Sequence, residues 1–184
     1  MLKKYVATAL AALVLLQAHP PTEAASVRSQ VDQLGYRFHD MTSPMQAFRL
    51  VAAERGWTQA EITSWEAAVS NIIFLESGGC WNLRRGASLP NAGASCTTVS
   101  GVSRNSDSGF GQVTRIWWKQ GAPVCKHSGI CSAESVVASP YNSMTALLVV
   151  LESDPRLRWS YCYNRRARSY HRGACTQKGL PSIG

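Results

Sequence analysis

Apolar residues recur at helical spacing between Trp65 and Gly79, and this stretch carries the clearest pattern in the chain. At about 3.6 residues per turn, one face of the predicted helix collects four apolar side chains and one carboxylate, from Trp65, Val69, Ile72, Ile73 and Glu76. Gly78 and Gly79 then end the helix. The alternative is that Glu76 is an ordinary last-turn residue that faces solvent.

The start of this helix carries two agreeing signals. Thr58 and Glu61 have the spacing of a capping box, in which each side chain accepts a hydrogen bond from the other residue's backbone N–H. Trp57 and Ile62 occupy the positions of a hydrophobic staple around that cap. We therefore predict that the helix begins directly after Thr58.

Three further helices are predicted where proline follows a capping residue. The first starts at Ser43-Pro44 and ends near Gly56, the second starts at Ser139-Pro140, and the third starts at Asp154-Pro155 and runs through Tyr163. The second of these three carries a buried stripe formed by Met144, Leu147, Leu148 and Leu151.

The segments between these helices lack periodicity. Residues 80–108 are rich in Gly, Asn, Ser and Thr, and we expect a loop there with room for one small hairpin around 97–102. The Gly-Phe-Gly sequence at 109–111 indicates a bend before a short helix around 115–119. Residues 120–135 are predicted to form another loop, and residues 26–40 a short helix or ordered lead-in. The predicted fold class is thus mainly α, in one domain with long loops.

The N-terminus has the pattern of a secretory signal peptide. Lys3 and Lys4 precede an apolar run at 5–16, and a polar segment leads to an expected cleavage after Ala24 or Ala25. The apolar run is too short to span a bilayer comfortably, although an uncleaved anchor is the alternative. We therefore expect residues 1–24 to be removed and residues 25–184 to form a secreted or periplasmic domain.

The chain has six cysteines, and an even number in an exported protein predicts three disulfides. A zinc site is the alternative, but the cysteines show no paired short spacing, and His39, His127 and His171 are scattered. We expect no metal and no cofactor. Other pairings are open, but proximity along the chain favours Cys80–Cys96, Cys125–Cys131 and Cys162–Cys175.

The net charge of the chain is +8, which suits an anionic partner. Export argues against nucleic acid and leaves an acidic membrane surface or a bacterial cell wall. A membrane-active protein would need a long basic amphipathic helix, whereas the basic residues here cluster in the tail, so we expect no stable membrane insertion. The tail arginines either contact wall polymer or form a solvated face, and they are Arg165, Arg166, Arg168 and Arg172.

Three blocks occur in a fixed order along the chain: Glu76-Ser77-Gly78-Gly79, Ser108-Gly109-Phe110-Gly111-Gln112-Val113, and Tyr161-Cys162-Tyr163-Asn164. Over residues 44–170, they resemble the successive motifs of the lysozyme-like lytic transglycosylases, relatives of soluble lytic transglycosylase and goose-type lysozyme. That family has Gly-Leu-Met-Gln in the second block and Ala-Tyr-Asn in the third. The differences here fall at expected sugar contacts and leave Glu76 intact.

The resemblance implies a role for each matched residue. Glu76 is the expected catalytic residue, while Gln112, Tyr163 and Asn164 line the sugar groove. The alternatives are that Gln112 is a polar residue at a helix start and Tyr163 a core tyrosine. Ser77 either orients Glu76 or caps the helix end.

Asp107 is the candidate second carboxylate. It stands two residues before Gly109, which is where c-type lysozymes place theirs relative to the equivalent turn. The alternative is a turn residue in a polar Asn-Ser-Asp-Ser run, where side chains bond to the backbone.

The function implied by this resemblance is cleavage of the β-1,4 bond between N-acetylmuramic acid and N-acetylglucosamine by a secreted monomer. Burial disfavours the charged carboxylate, so Glu76 is expected to hold its proton above the usual pKa of about 4.3 and to serve as general acid. A lytic transglycosylase needs only this carboxylate. The alternatives are a hydrolytic muramidase that also uses Asp107, and a non-catalytic wall-binding module, for which a buried acid has little use.

Overall fold

The computed structural model describes residues 26–98 and 107–153. In these ranges the chain is mainly helical, as the sequence predicts, and extended segments pair only through isolated bridges. The first three helices are α1 (Val27–Asp32), α2 (Thr42–Glu54) and α3 (Gln59–Ser77). After a 3-10 turn at Cys96–Thr98 come α4 (Arg115–Trp118), α5 (Pro123–Ser128), α6 (Ala133–Val136) and α7 (Pro140–Ser153).

Helix α3 packs against α2, and α2 also packs against α7. These contacts enclose the main hydrophobic core, which contains the four apolar residues of the predicted α3 stripe. Trp65, Val69, Ile72 and Ile73 are at most 1% exposed, so the prediction for this face is confirmed. Glu76 continues the same face and is half-buried.

Helix α7 is buried on two faces. Its predicted stripe, from Met144 to Leu151, faces the main core, as expected. A second set, Ala146, Val149 and Val150, packs into another cluster with residues of the segment 113–137. The sequence pattern missed this second face because a helix buried all round has no polar side to define a stripe.

The prediction of a loop at 120–135 was wrong. Helix α5 begins with Pro123 in its first turn and ends at Gly129, which is left-handed with φ of 72°. The N-cap of α6 is Ser132, whose hydroxyl accepts a hydrogen bond from the backbone N–H of Ser135 at 3.0 Å. Helices of six and four residues are too short to display a helical period in sequence.

Helix α2 starts at Thr42, two residues before Pro44, which the sequence signal predicts as its first helical residue. The N–H of Thr42, the first residue of the helix, donates a hydrogen bond to Asp40 Oδ1 at 2.9 Å. That bond lowers the pKa of Asp40. The Ser43 hydroxyl does not cap the helix and instead donates to Gly35 O at 2.6 Å, which ties the lead-in segment to α2.

The capping box at the start of α3 is confirmed in both halves. Thr58 Oγ1 accepts from Glu61 N at 3.3 Å, and Glu61 Oε2 accepts from Thr58 N at 2.6 Å. The hydrogen bonds from Thr58 lower the pKa of Glu61. Trp57 and Ile62 are both buried in the main core, which fits the predicted staple.

Two of the three predicted disulfides are present, Cys80–Cys96 and Cys125–Cys131. The predicted short lead-in helix is present as α1. At 96–98, where the sequence left room for a hairpin, the chain forms a 3-10 turn. The signal peptide, the rest of that hairpin, the helix predicted from Asp154-Pro155, the Cys162–Cys175 pair and the basic tail lie outside the described residues.

Candidate active site

The C-terminal end of α3 positions Glu76. Gly78 ends the helix in the left-handed region, with φ of 56°, and donates its N–H to Phe74 O at 2.9 Å. A Cβ at Gly78 would collide with the ring of Phe38, so the site accepts only glycine. Glu76 lies two residues before this cap, at the end of a face that buries Ile72 and Ile73.

Ser77 joins α3 to the tight turn formed by residues 108–113, named here the Gly-Phe-Gly turn. Ser77 is 1% exposed, and its Oγ lies 3.0 Å from both Ile73 O and Phe110 O. The hydroxyl therefore donates to carbonyl oxygens of the helix and of the turn. This contact brings the first two sequence blocks together and is a third role, beside the two predicted for Ser77.

The Gly-Phe-Gly turn is held between α3 and α7. Its ends pair through Val113 N to Ser108 O at 2.8 Å and through the reverse bond at 3.2 Å. Ser143 of α7 accepts a hydrogen bond on Oγ from Phe110 N at 2.7 Å. Gly109 has φ of 80°, and a Cβ there would lie 2.5 Å from Ser143 Oγ, so this close approach also requires glycine.

Gln112 adopts an unusual backbone conformation for a residue with a side chain, with φ of 46°. Its Nε2 donates to Leu83 O at 2.9 Å and to Gly109 O at 3.0 Å. Gly109 N also donates to Leu83 O, at 2.8 Å. The side chain thus braces the turn against the loop that follows α3. Its predicted place in a sugar groove stays a prediction.

Asp107 directly precedes the Gly-Phe-Gly turn. Its side chain is 27% exposed, and Oδ2 lies 3.5 Å from Arg85 Nη1, a long ion pair. Arg85 N also donates to Asp107 O at 2.9 Å, beside the bridge between Arg84 and Ser108. Asp107 is therefore anchored at the edge of the turn next to a cation, as either of its two predicted roles would allow.

A second arginine lies at the same edge. The Arg84 side chain is 13% exposed, and its Nη2 lies 3.0 Å from Glu134 Oε1 at the start of α6. A backbone hydrogen bond at Glu134, together with the bond from Arg84, lowers the pKa of that carboxyl group. The edge of the turn thus carries two guanidinium groups, and each of them is paired with a carboxylate.

Ser143 and Phe38 were not identified from the sequence, although both shape this site. The signal for Ser143 was a small polar residue adjoining the apolar stripe of α7. Phe38 had no local signal, because its contact with Gly78 joins two segments that are far apart in sequence. Tyr163 and Asn164, which the resemblance assigns to the groove, lie outside the described residues.

No protein-family model, curated protein or solved structure matches the chain with significance. Within residues 26–98 and 107–153, no helix has the length and apolar character needed to cross a membrane. The same ranges contain no group of three or more His, Cys, Asp or Glu side chains that could hold a metal ion.

Proposed function

We propose that the chain is a secreted peptidoglycan-cleaving enzyme, a lytic transglycosylase in which Glu76 acts first as acid and then as base. The observation that carries this proposal is the hydrogen bond from Ser77 to Phe110 O. Two sequence blocks more than thirty residues apart, whose order resembles that of the family, meet through this bond at the residue next to Glu76.

The setting of Glu76 adds support. The residue is half-buried on a face whose other members are apolar and fully buried. Partial exposure is what a carboxyl group needs to reach a polymer. The disulfide Cys80–Cys96 and the Gly-Phe-Gly turn hold the segments around it in place.

The proposed reaction needs only one carboxyl group, which acts first as acid and then as base. The protonated Glu76 gives its proton to the glycosidic oxygen as the bond from C1 of N-acetylmuramic acid breaks, which leaves an oxocarbenium-like centre. The carboxylate then takes the proton of the C6 hydroxyl, and O6 attacks C1. The product carries a 1,6-anhydro ring, no water is consumed, and Glu76 regains its proton.

The test is a digest of purified peptidoglycan with the products identified by mass spectrometry. The proposal expects fragments lighter by one water than hydrolysis products, and no cleavage by Glu76→Gln. Glu66→Gln is the matched control, because Glu66 lies on the same helix and pairs with Arg49 at the surface, so cleavage should persist. Retained binding without cleavage by the wild-type protein would overturn the proposal and leave a wall-binding module.

A hydrolytic muramidase is the second candidate, and the position of Asp107 favours it. This half-buried carboxylate is anchored at the edge of the same turn that Ser77 contacts. In this mechanism the digest yields reducing ends, and Asp107→Asn stops cleavage as Glu76→Gln does. Anhydro products that persist in Asp107→Asn would exclude it.

A further inference from the structure

A cleft with a volume of about 220 Å³ lies where three segments meet. Residues 34–37 form one wall, Trp81 another and residues 95–97 a third, with Asp32 and Pro140 at its border. Of the proposed site residues within the described ranges, Glu76, Ser77, Asp107 and Gln112, none lines this cleft. It is therefore a site separate from Glu76, although Trp81 follows α3 by only four residues.

The walls of the cleft are fixed to one another. The disulfide Cys80–Cys96 joins the residue before Trp81 to the residue between Ser95 and Thr97. Cys96 N donates to Tyr36 O at 3.1 Å, and Phe38 N donates to Ala94 O at 2.9 Å. A site built in advance loses little conformational entropy when a ligand binds, which favours affinity.

The side chains that line the cleft suit a ligand that is an uncharged, polar ring. Trp81 is partly buried against the main core, whereas Tyr36 is only 6% exposed and its hydroxyl donates to Val31 O at 2.9 Å. Around these rings lie one carboxylate and one guanidinium, together with the hydroxyls of Ser95 and Thr97. A site that holds one negative and one positive group does not select a polyanion. The hydroxyl and amide groups of a neutral ligand can instead donate to the carboxylate and accept from the guanidinium.

We propose that this cleft binds one pyranose ring of an N-acetylated glycan strand and anchors the polymer away from the cleaving carboxylate. The inference rests on the proposed function for its choice of polymer. The cleft is smaller than the roughly 300–1,000 Å³ of sites that enclose drug-sized ligands, so it suits a single ring. The partly exposed ring of Trp81 contacts the apolar face of the sugar, and Asp32, Arg37 and the hydroxyls bond to its edge.

Gly35 offers a test that leaves the fold intact. It lines the cleft, a Cβ there would meet nothing within 4 Å, and its φ is outside the left-handed region. Gly35→Leu therefore adds bulk to the cleft without backbone strain. Ser88→Leu adds the same side chain at an exposed position outside the cleft, and it is the matched control.

Affinity for chitotetraose is measured by isothermal titration calorimetry, with all variants in a Glu76→Gln background so that no turnover occurs. We expect Gly35→Leu and Trp81→Ala to weaken binding at least about tenfold, the loss of roughly one good contact, 1.4 kcal/mol. Ser88→Leu should bind as its parent does. Equal melting temperatures for Gly35→Leu and its parent verify the fold.

Unchanged affinity in Gly35→Leu overturns the proposal. A second outcome also overturns it: the parent binds a peptidoglycan stem peptide but not chitotetraose, and Gly35→Leu abolishes the peptide binding. The cleft would then be a peptide site. The peptidoglycan digest separates the two proposals. Cleavage that depends on Glu76, together with unchanged affinity in Gly35→Leu, defeats only the sugar cleft. Sugar binding that Gly35→Leu weakens, in a protein that cleaves nothing, defeats only the enzyme.

Discussion

Ser77 has one proton and two carbonyl oxygens at 3.0 Å, and only one of them belongs to its own helix. The bond to Ile73 O is a common feature of serine in helices and contributes little to stability. The bond to Phe110 O is tertiary and buried. At this single residue the identity of the side chain decides how the end of α3 meets the Gly-Phe-Gly turn.

Ser77→Ala should lower the free energy of unfolding by about 1–3 kcal/mol, since a buried carbonyl loses its donor. Ser128→Ala is the control, because the Ser128 hydroxyl bonds to Val124 O within its own helix and is only partly buried. Urea denaturation of both variants gives the comparison. A loss for Ser128→Ala as large as that for Ser77→Ala would show that the tertiary bond adds nothing.

Tyr36 predicts a stability change at alkaline pH. Burial, and secondarily the nearby Asp32, raise the pKa of its hydroxyl well above the usual value of about 10. The stability that the buried, neutral Tyr36 contributes is fully present below the unfolded-state pKa, which is the usual value. It is lost as the pH rises from there through the folded-state pKa, because the unfolded chain gives up the proton first.

The measurement is the melting temperature of the wild type and of Tyr36→Phe between pH 8 and roughly 11. Tyr36→Phe loses the bond to Val31 O and should be less stable near pH 8. The difference should shrink as pH rises above about 10. A difference that stays constant over this range would contradict the assigned cause.

At the scale of elements, the sequence predicts best where local signals agree. The Thr58–Glu61 box, the apolar stripe and Gly78 all specify the same helix, and α3 begins and ends as expected. The start of α2 was misplaced by two residues, because Asp40, rather than Ser43, accepts the hydrogen bond from the first helical N–H, that of Thr42. The helices α5 and α6 depend on packing against α7, which no local pattern reveals.

Thr58→Ala should destabilise the protein by about 0.5–2 kcal/mol, because the Glu61 N–H loses its acceptor at the start of α3. Thr63→Ala is the control. Thr63 is exposed inside the same helix, where alanine has the higher helix propensity, so that variant should be neutral or slightly stabilising. Thermal unfolding of both proteins tests the cap. Equal stability of Thr58→Ala and Thr63→Ala would show that the box does not stabilise α3.

At the scale of the whole molecule, one cluster fastens three helices. Glu152, near the end of α7, accepts from Arg55 Nε at 2.6 Å and from Trp57 Nε1 at 3.0 Å, and a second Arg55 bond completes the pair. Arg55 and Trp57 lie between the end of α2 and the start of α3. The Arg55 and Glu152 side chains are only 21% and 17% exposed, so solvent screens their interaction weakly.

Glu152→Ala should lower the free energy of unfolding by roughly 1.5–3 kcal/mol, because Arg55 loses its partner and hydrogen bonds to a charged group have about this value. Glu66→Ala removes the pair with Arg49, whose side chains are 51% and 33% exposed, and should cost less than about 1 kcal/mol. Denaturation in urea distinguishes the two. Similar losses would mean that Glu152 acts only as a surface charge.

The candidate site was predictable in part because its blocks are short and ordered, but their assembly depends on contacts across the chain. Glu76 and the Gly-Phe-Gly turn could be identified from sequence. The groups that hold them could not, since Leu83 offers a backbone carbonyl and Ser143 a hydroxyl from a helix thirty residues later. Backbone acceptors have no residue signature, so this layer of a site appears only in three dimensions.

The two disulfides should differ in what they support. Cys80–Cys96 closes a loop with a sequence separation of 16, and Cys125–Cys131 closes one of 6. From the chain entropy of these loops we expect the free energy of unfolding to fall by roughly 3 kcal/mol when the first pair is replaced by alanine, and by roughly 2 kcal/mol for the second. Only the first pair joins the walls of the cleft beside Trp81. Its removal should therefore also weaken chitotetraose binding, measured in the folded variant at low temperature, whereas removal of Cys125–Cys131 should leave that affinity unchanged. Equal affinities in the two variants would show that the cleft keeps its shape without the covalent link, so that the disulfide contributes nothing to sugar binding.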